Sequence, residues 1–335
     1  MQISNLVAVL LCVGGMVIVG SSVSISQLIL DFPHLTGQAA RYALAAAVLF
    51  ALAWRFPRLL VGGGPLPSRP TRRDLAVLTA LAATGMAGFN ACILLALPHA
   101  DAAMVGTFIG AAPLGLALLG PLLRRRRPAA RLLAAAAIVV AGTALVQGSG
   151  RADAIGVLAA LGAFGGEVAF SLLAAAVLPR LGPVLVSAYS CALAVPLLLL
   201  AALPAGEFGR LRPPTATEVA TLGYLAAFMT VVAFLCWFTG LRRLGVERTA
   251  PLVGVMPIST LLTSAVQAGR LPAVGQAAGV LIAALGIALG LWAGRGDRAA
   301  SEESGATAAG GLEDRESGAR PEAPAVALVR WREPA

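Results

Sequence analysis

The feature that most constrains this chain is a succession of apolar stretches, each about 20 residues long and separated by short polar breaks, over residues 1 to 293. Hydrophobic residues make up 58% of the 335 residues and charged residues only 12%, whereas soluble domains carry about 25% charged residues. A hydrocarbon interior offers no water to backbone amides, so such stretches must close their hydrogen bonds within helices. The sequence therefore predicts an all-α membrane protein.

A hydropathy window of about 19 residues divides the chain into membrane spans. The polar breaks between spans are short and rich in Pro and Gly, which predicts antiparallel neighbouring helices. Ten transmembrane helices are expected, at residues 6–30, 36–54, 74–97, 102–123, 129–147, 154–178, 183–203, 217–240, 249–268 and 273–293.

Positive charge alternates between successive loops. All 25 basic residues are Arg, and the loops after the second, fourth, sixth and eighth spans hold most of them, including Arg124 to Arg127. The opposite loops hold only Arg151, Arg210, Arg212 and Arg270. Basic loops face the cytoplasm, so we expect an inner-membrane protein with both termini cytoplasmic. Membrane topology thus accounts for the net charge of +9, and no nucleic-acid partner is expected.

The sequence also repeats internally. A shift of 144 residues aligns 91–146 with 235–290 without a gap. The pairs that carry the alignment are Cys92 with Cys236, Gly110 with Gly254, Pro113 with Pro257, Pro128 with Pro272, and Gly142 with Gly286. Five spans separate equivalent helices, so the two copies cross the membrane in opposite directions, as in many secondary transporters.

Three segments resemble the EamA-like family of the drug/metabolite transporter superfamily: QAARYALAAAVLF at 38–50, GLRRLG at 240–245 and PLVGVMPISTLL at 251–262. The resemblance covers roughly residues 6–293. It implies two inverted five-helix repeats, at 1–150 and 151–294, followed by a polar tail at 295–335 that composition predicts to be disordered. It also implies export of amino acids or related metabolites.

Glu167 is the one acidic residue at the centre of a predicted span. Insertion of a central Asp costs about 2.5–3.5 kcal/mol, so we expect Glu167 to face protein or water. Two interpretations stay open at this point. Glu167 is either a protonatable site for substrate or proton coupling, or a permanently neutral group that joins two helices.

Arg41 and three further polar or aromatic residues are candidates for substrate binding. Arg41 lies just inside the second span, where its side chain either extends to the interface or balances the charge of a substrate carboxylate or of Glu167. Ser22, Asn90 and Trp237 lie within spans, where such groups avoid lipid and either bind substrate or join helices.

Pro113 and Pro257 occupy equivalent mid-helix positions. Each removes the hydrogen bond to the carbonyl four residues earlier, those of Ile109 and Val253. Their pairing across the repeat favours a shared role as kinks or gating points, although helix packing alone is the alternative.

The competing functions are an intramembrane enzyme and a membrane receptor that transports nothing. The sequence contains no H-E-x-x-H motif and no Gly-rich phosphate loop, so we expect no catalytic residues, no metal and no cofactor. The expected partners are a small-molecule substrate and the lipid bilayer, with the chain acting as a monomer or homodimer.

The distribution of Arg generates a test of topology. A single Cys placed beside Arg125, after removal of the native cysteines, should resist a membrane-impermeant thiol reagent in intact cells and react after lysis. A single Cys placed beside Arg212 should react in intact cells. Ready labelling beside Arg125 in intact cells would reverse the predicted orientation.

Overall fold

Helices account for the regular secondary structure that the computed structural model describes, at residues 4–29, 31–56, 69–96, 98–148, 150–269 and 271–292; one isolated bridge joins Ala100 and Ala152. Among these residues, nine helices are long and apolar enough to cross a membrane. The predicted tail at 295–335 lies outside the described residues. The all-α prediction is confirmed.

The helices are labelled here in chain order. A short 3-10 turn, Gln27–Ile29, follows the first helix, and the single helix Ala154–Ala202 is divided at Gly182 for the reason given below. The bounds are α1 Asn5–Ser26, α2 His34–Arg55, α3 Arg72–Ala96, α4 Ala102–Leu123, α5 Ala130–Gln147, α6 154–181, α7 183–202, α8 Ala216–Leu244, α9 Val246–Ala268 and α10 Val274–Trp292.

Gly182 turns one long helix into two membrane spans. The helix Ala154–Ala202 has 49 residues, and a straight helix of that length would extend about 75 Å, far beyond a hydrocarbon core of about 30 Å. Gly182 has φ 75° and ψ 166°, a conformation that favours Gly because it has no β-carbon. The chain reverses there, so the nine apolar helices form ten spans.

The turn between α8 and α9 is shorter than the sequence predicts. The predicted spans end at 240 and begin again at 249, but α8 continues to Leu244 and α9 begins at Val246. Gly245 alone makes the connection, with φ 80° and ψ 164°. Because one Gly makes the turn, Arg242 and Arg248 lie in helix ends and not in a loop.

Local irregularities of the helices recur at the offset of 144 residues. A π-helical segment occupies Ala82–Gly88 in α3, and another occupies Leu225–Val232 in α8. Each helix begins with a capping box, Thr71 with Asp74 in α3 and Thr215 with Glu218 in α8. The similarity between the halves therefore extends beyond the segment in which residue identities are visible.

The equivalent helices α5 and α10 cross at their glycines. A β-carbon on Gly142 would collide with the backbone of Ala283, and one on Gly286 would collide with the backbone of Val139. Residues 142 and 286 are equivalent in the repeat, as are 139 and 283, so the two contacts are related by the pseudo-twofold axis. Small residues of this kind allow membrane helices to approach closely.

A seam of hydrogen bonds joins α1 to α9. Ser259 Oγ donates to the carbonyl of Val17 at 2.9 Å, and Thr260 Oγ1 donates to the carbonyl of Gly20 at 2.9 Å. One turn further along, the hydroxyls of Ser24 and Ser264 are 2.9 Å apart. Hydroxyl groups that would be unsatisfied in lipid thus join two distant parts of the sequence.

The crossing of α5 and α10 generates a matched pair of substitutions. Gly142→Ala places a methyl group against backbone atoms that cannot rotate away, and overpacking of this kind costs about 1–3 kcal/mol. Gly14→Ala, whose β-carbon would meet no atom within 4 Å, should be neutral or slightly stabilising because Ala favours helix. Thermal unfolding of the purified variants measures both, and equal stability of the two would contradict the close crossing.

Candidate functional site

Three polar side chains follow one another along a single stripe of α2. His34, Gln38 and Arg41 are spaced four and three residues apart, which places them on one helix face. The atoms His34 Nε2, Gln38 Oε1 and Arg41 Nε are each buried and have no hydrogen-bond partner among the described residues. Buried polar atoms are nearly always paired in proteins, so this stripe is an exception that calls for an explanation.

Arg41 is enclosed by protein and does not extend to the membrane surface. Its residue is 6% exposed, its guanidinium lies 4.5 Å from the ring centroid of Tyr42, and one terminal nitrogen donates to Met229 Sδ at 3.0 Å. No described carboxylate lies within ion-pair distance of it. The structure therefore does not pair Arg41 with Glu167.

Asn90 brings α3 to the same place. It follows the π-helical segment of α3, is 6% exposed, and donates from Nδ2 to the carbonyl of Met86 at 2.8 Å. Its amide also lies close to Tyr42 and His34. Met229, the thioether beside Arg41, belongs to the π-helical segment of α8. We define the polar cluster as His34, Gln38, Arg41, Tyr42 and Asn90. One irregular segment ends two residues before Asn90, and the other supplies Met229 as a neighbour of Arg41.

Glu207 holds the start of α2 in position from a distant loop. Pro33, the residue before the helix, supplies no side-chain cap. The carboxylate of Glu207 instead accepts hydrogen bonds from the backbone amides of Leu35 and Thr36, both at 2.8 Å, and from the Thr36 hydroxyl at 3.0 Å. A buried carboxylate at a helix N-terminus satisfies free amides and complements the helix dipole.

The loop that carries Glu207 is itself anchored to α8. Arg212 donates to both oxygens of Glu218, at 2.8 and 2.6 Å, and this bidentate geometry is the strong form of an Arg–carboxylate pair. The hydrogen bonds to Glu218 raise the pKa of the Arg212 guanidinium above its ordinary value. The Arg212–Glu218 pair therefore fixes to α8 the end of the loop from which Glu207 contacts α2.

A cavity of about 160 Å³ adjoins the polar cluster at His34. It is at the end of the bundle where α2 begins, which we call the His34 end. His34 contributes both to this cavity and to the polar cluster, and Leu94, another lining residue, lies one turn beyond Asn90 on α3. The cavity is lined by Asp31, Phe32, Pro33, His34, Leu94, Glu207 and Arg210.

Glu167 lies elsewhere, on α6, near the middle of that helix. It is half-buried and makes no ion pair with a described residue. One turn further, Ser171 Oγ accepts a hydrogen bond from Trp237 Nε1 at 3.3 Å, and Trp237 is 3% exposed. Trp237 of α8 thus contacts α6 at Ser171, one helical turn from the predicted residue Glu167.

The other predicted residues are buried but belong to neither group. Ser22 donates to the carbonyl of Ile18 at 2.6 Å within its own helix. In α4 the helix is interrupted at Ala111, two residues before Pro113, and in α9 the segment Ala250–Gly254 before Pro257 is a 3-10 helix. Both prolines therefore follow a departure from α-helical geometry.

Sequence reasoning missed His34, Gln38, Tyr42 and Glu207 as contributors. The spacing of His34, Gln38 and Arg41 on one helix face was visible in the sequence and could have identified the first two. Glu207 had no such signal, because its partners lie about 170 positions away in the chain.

Similarity to known proteins agrees with the fold and with the internal repeat. The model of the EamA-like transporter family matches residues 6–147 and 154–292. The chain belongs to the EamA-like transporter family. This confirms the resemblance noted in the sequence, and it makes the chain a multi-pass membrane protein of a transporter family whose fold has ten helices in two inverted repeats.

Individual relatives agree with this family. The uncharacterized transporter YetK of Bacillus subtilis (strain 168) is 25% identical over 263 residues, which cover 75% of this chain and 76% of YetK. The uncharacterized transporter YdeK of the same strain is 29% identical over 263 residues, covering 76% of this chain and 86% of YdeK. A solved crystal structure with 19% identity superposes with a TM-score of 0.70 over 86% of this chain and 97% of its own, which supports the fold.

The contact of Glu207 with α2 generates a stability prediction. Glu207→Gln leaves one neutral oxygen where a carboxylate accepts three hydrogen bonds, so we expect a loss of about 1–3 kcal/mol in the free energy of unfolding. The control is Glu247→Gln, the same chemical change at a half-buried residue of α9. Thermal unfolding in detergent compares them, and equal midpoints would show that the cap contributes no stability.

Proposed function

We propose that this protein is a secondary transporter that exports amino acids or related small metabolites across the cytoplasmic membrane. The observation that carries this proposal is membership of a transporter family together with polar groups buried at two places inside the helical bundle. Polar and ionisable residues within membrane spans are expensive and typically mark a substrate or ion pathway.

The two groups receive different roles in this proposal. Arg41 and Asn90 in the polar cluster bind substrate. Glu167 lies one turn from Ser171, the residue that Trp237 contacts. Glu167 and Trp237 bind substrate, or Glu167 exchanges the coupling proton, because Glu167 is an ionisable group without an ion-pair partner among the described residues. Ser22 contributes to substrate binding from α1.

The proposal also includes the architecture that moves these groups. Residues 1–150 and 151–294 form the two repeats, and Pro113 and Pro257 act as equivalent points of bending. Both termini face the cytoplasm, and the chain works as a monomer or homodimer in the inner membrane. Alternating access in such folds is largely movement of one repeat against the other.

Comparison of metabolites in the medium tests export. Cells that overproduce the protein should accumulate a small metabolite outside that matched cells without it do not. Cells that produce the Glu167→Gln variant at the same level provide the control for overproduction. An unchanged external profile with altered membrane lipids would instead favour an intramembrane enzyme.

Substitution of Glu167 tests the coupling role. Glu167→Gln keeps the shape of the side chain and its capacity for hydrogen bonds but cannot ionise, so proton-driven transport should be lost while folding is preserved. Transport of the exported metabolite is measured in proteoliposomes with and without a pH gradient, with Glu247→Gln as the control for the chemical change. Unchanged stimulation of the Glu167→Gln variant by the gradient would exclude Glu167 from coupling.

A further inference from the structure

The stripe of unpartnered atoms on α2 requires something that the described residues do not supply. An arginine guanidinium stays protonated in proteins, and more than nine-tenths of Arg41 is buried within a membrane span. A buried charge without a counter-ion is strongly unfavourable. Neither the thioether of Met229 nor the ring of Tyr42 carries the negative charge that would balance it.

The neighbouring acidic residues do not pair with Arg41. Glu207 lies near His34, where its carboxylate accepts hydrogen bonds from the start of α2, and it forms no ion pair with Arg41. Asp31 lines the cavity on the His34 end of the cluster and is exposed. The guanidinium of Arg41 thus retains a donor, Nε, for a ligand.

The chemistry of the stripe fits a carboxylate group. A guanidinium donates strong, charge-assisted hydrogen bonds to a carboxylate. In Arg41 one terminal nitrogen donates to Met229, the group lies beside the ring of Tyr42, and Nε has no partner among the described residues. The free oxygen of Gln38 and the free nitrogen of His34 extend the polar surface toward the cavity. Of the three side chains of the stripe, His34 lines the cavity, and Gln38 and Arg41 follow one and two turns deeper on the same helix face. We therefore expect a ligand from the cavity to reach Arg41 by way of His34 and Gln38.

We propose that Arg41, together with His34, Gln38 and Asn90, forms a subsite for the carboxylate group of a small molecule, reached through the cavity at the His34 end. The proposal rests on the proposed transport function and deepens it by assigning the anionic part of the substrate to one place in the bundle. The separate group around Glu167 is then left for the rest of the substrate or for the proton.

Binding to the purified full-length protein tests the subsite without requiring transport. The protein is placed in nanodiscs of neutral phosphatidylcholine, so that no anionic lipid headgroup competes. The probes are benzoate and phenylacetate, each compared with its uncharged amide, benzamide or phenylacetamide. The shift of the unfolding midpoint with probe concentration gives each apparent dissociation constant. We expect the carboxylates to stabilise the protein and the amides to bind at least about tenfold more weakly.

Three variants connect the preference to Arg41. Arg41→Gln should remove the preference for carboxylate over amide, and Arg41→Lys, which keeps the charge but loses the planar fork, should reduce it. The matched control, Arg131→Gln, makes the same change at an exposed position at the start of α5 and should leave the preference intact. Equal binding of carboxylate and amide to the wild-type protein, or an unchanged preference in Arg41→Gln, would overturn the proposal.

Gln38→Glu tests the proposal even if Arg41→Gln does not fold. The new carboxylate lies one turn from Arg41 and can occupy its guanidinium, so this variant should be more thermostable than the wild type and should no longer bind benzoate. A less stable variant, or one that still prefers benzoate, would mean that Arg41 does not need an anion.

Adding anionic phosphatidylglycerol to the nanodiscs separates a soluble ligand from a lipid headgroup. Benzoate binding that persists in the presence of this lipid supports a soluble carboxylate as the ligand of the subsite. Complete displacement of benzoate by the lipid would overturn the proposal of a small-molecule ligand in favour of a lipid headgroup. Failure of transport with benzoate binding intact would reject the proposed transporter and leave the subsite standing. Transport of compounds that all lack a carboxylate would support the proposed transporter and reject the carboxylate subsite.

Discussion

The requirement that every backbone amide and carbonyl inside hydrocarbon be satisfied determines the rest of this structure. It restricts the spans to helices, and it makes every departure from α-helical geometry depend on a neighbouring group. The departures in this chain are few, and they recur in pairs. The π-helical segments of α3 and α8 lie at equivalent positions of the two halves, and a departure from α-helical geometry precedes each of the equivalent residues Pro113 and Pro257.

These departures also position the polar cluster. A π-helical turn changes the direction in which the following side chains point, and such turns are frequent at functional sites. Asn90 follows the irregular segment of α3, and Met229 lies within that of α8. Arg41, from the regular helix α2, donates to Met229, and the neighbouring Tyr42 lies beside Asn90. The helix distortion and the buried charge are therefore parts of one arrangement.

The sequence predicted the parts of the fold that depend on hydropathy and on unusual backbone. Ten apolar stretches gave ten spans, and the pair Gly142 and Gly286 marked the repeat because only a residue without a β-carbon allows α5 and α10 to cross so closely. Glu167 was visible as the acidic residue at the centre of a span. The hydropathy of a span and the position of Glu167 are each contained in a short segment of the chain, and the glycine pair is found by comparing the two halves of the sequence.

The remaining features depend on contacts between distant segments. The cap that Glu207 provides for α2 leaves no local pattern, because a loop acid in a sequence looks the same whether or not it reaches a helix start. Arg41 illustrates a second limit. Its position two turns inside α2 allowed both an interfacial and a buried side chain, and the choice was made by Tyr42, Met229 and Asn90, which come from three different helices.

The two halves share a backbone but differ in the chemistry of their helix contacts. Ser259 and Ser264 of α9, which bond to α1, correspond in the repeat to Gly115 and Gly120 of α4, which pack against apolar side chains that include those of α6. The contact between α1 and α9 is thus held by hydrogen bonds, and its counterpart between α4 and α6 is held at these glycines by close packing.

Separation of α1 from α9 exposes hydroxyl groups and carbonyls, and water that enters from one side of the membrane can replace those hydrogen bonds at little cost. Separation of α4 from α6 at the glycines exposes apolar surface, for which water does not compensate. An inverted repeat whose two equivalent contacts open at different cost has unequal populations of its two states, and a ligand shifts them only through its difference in affinity between the states.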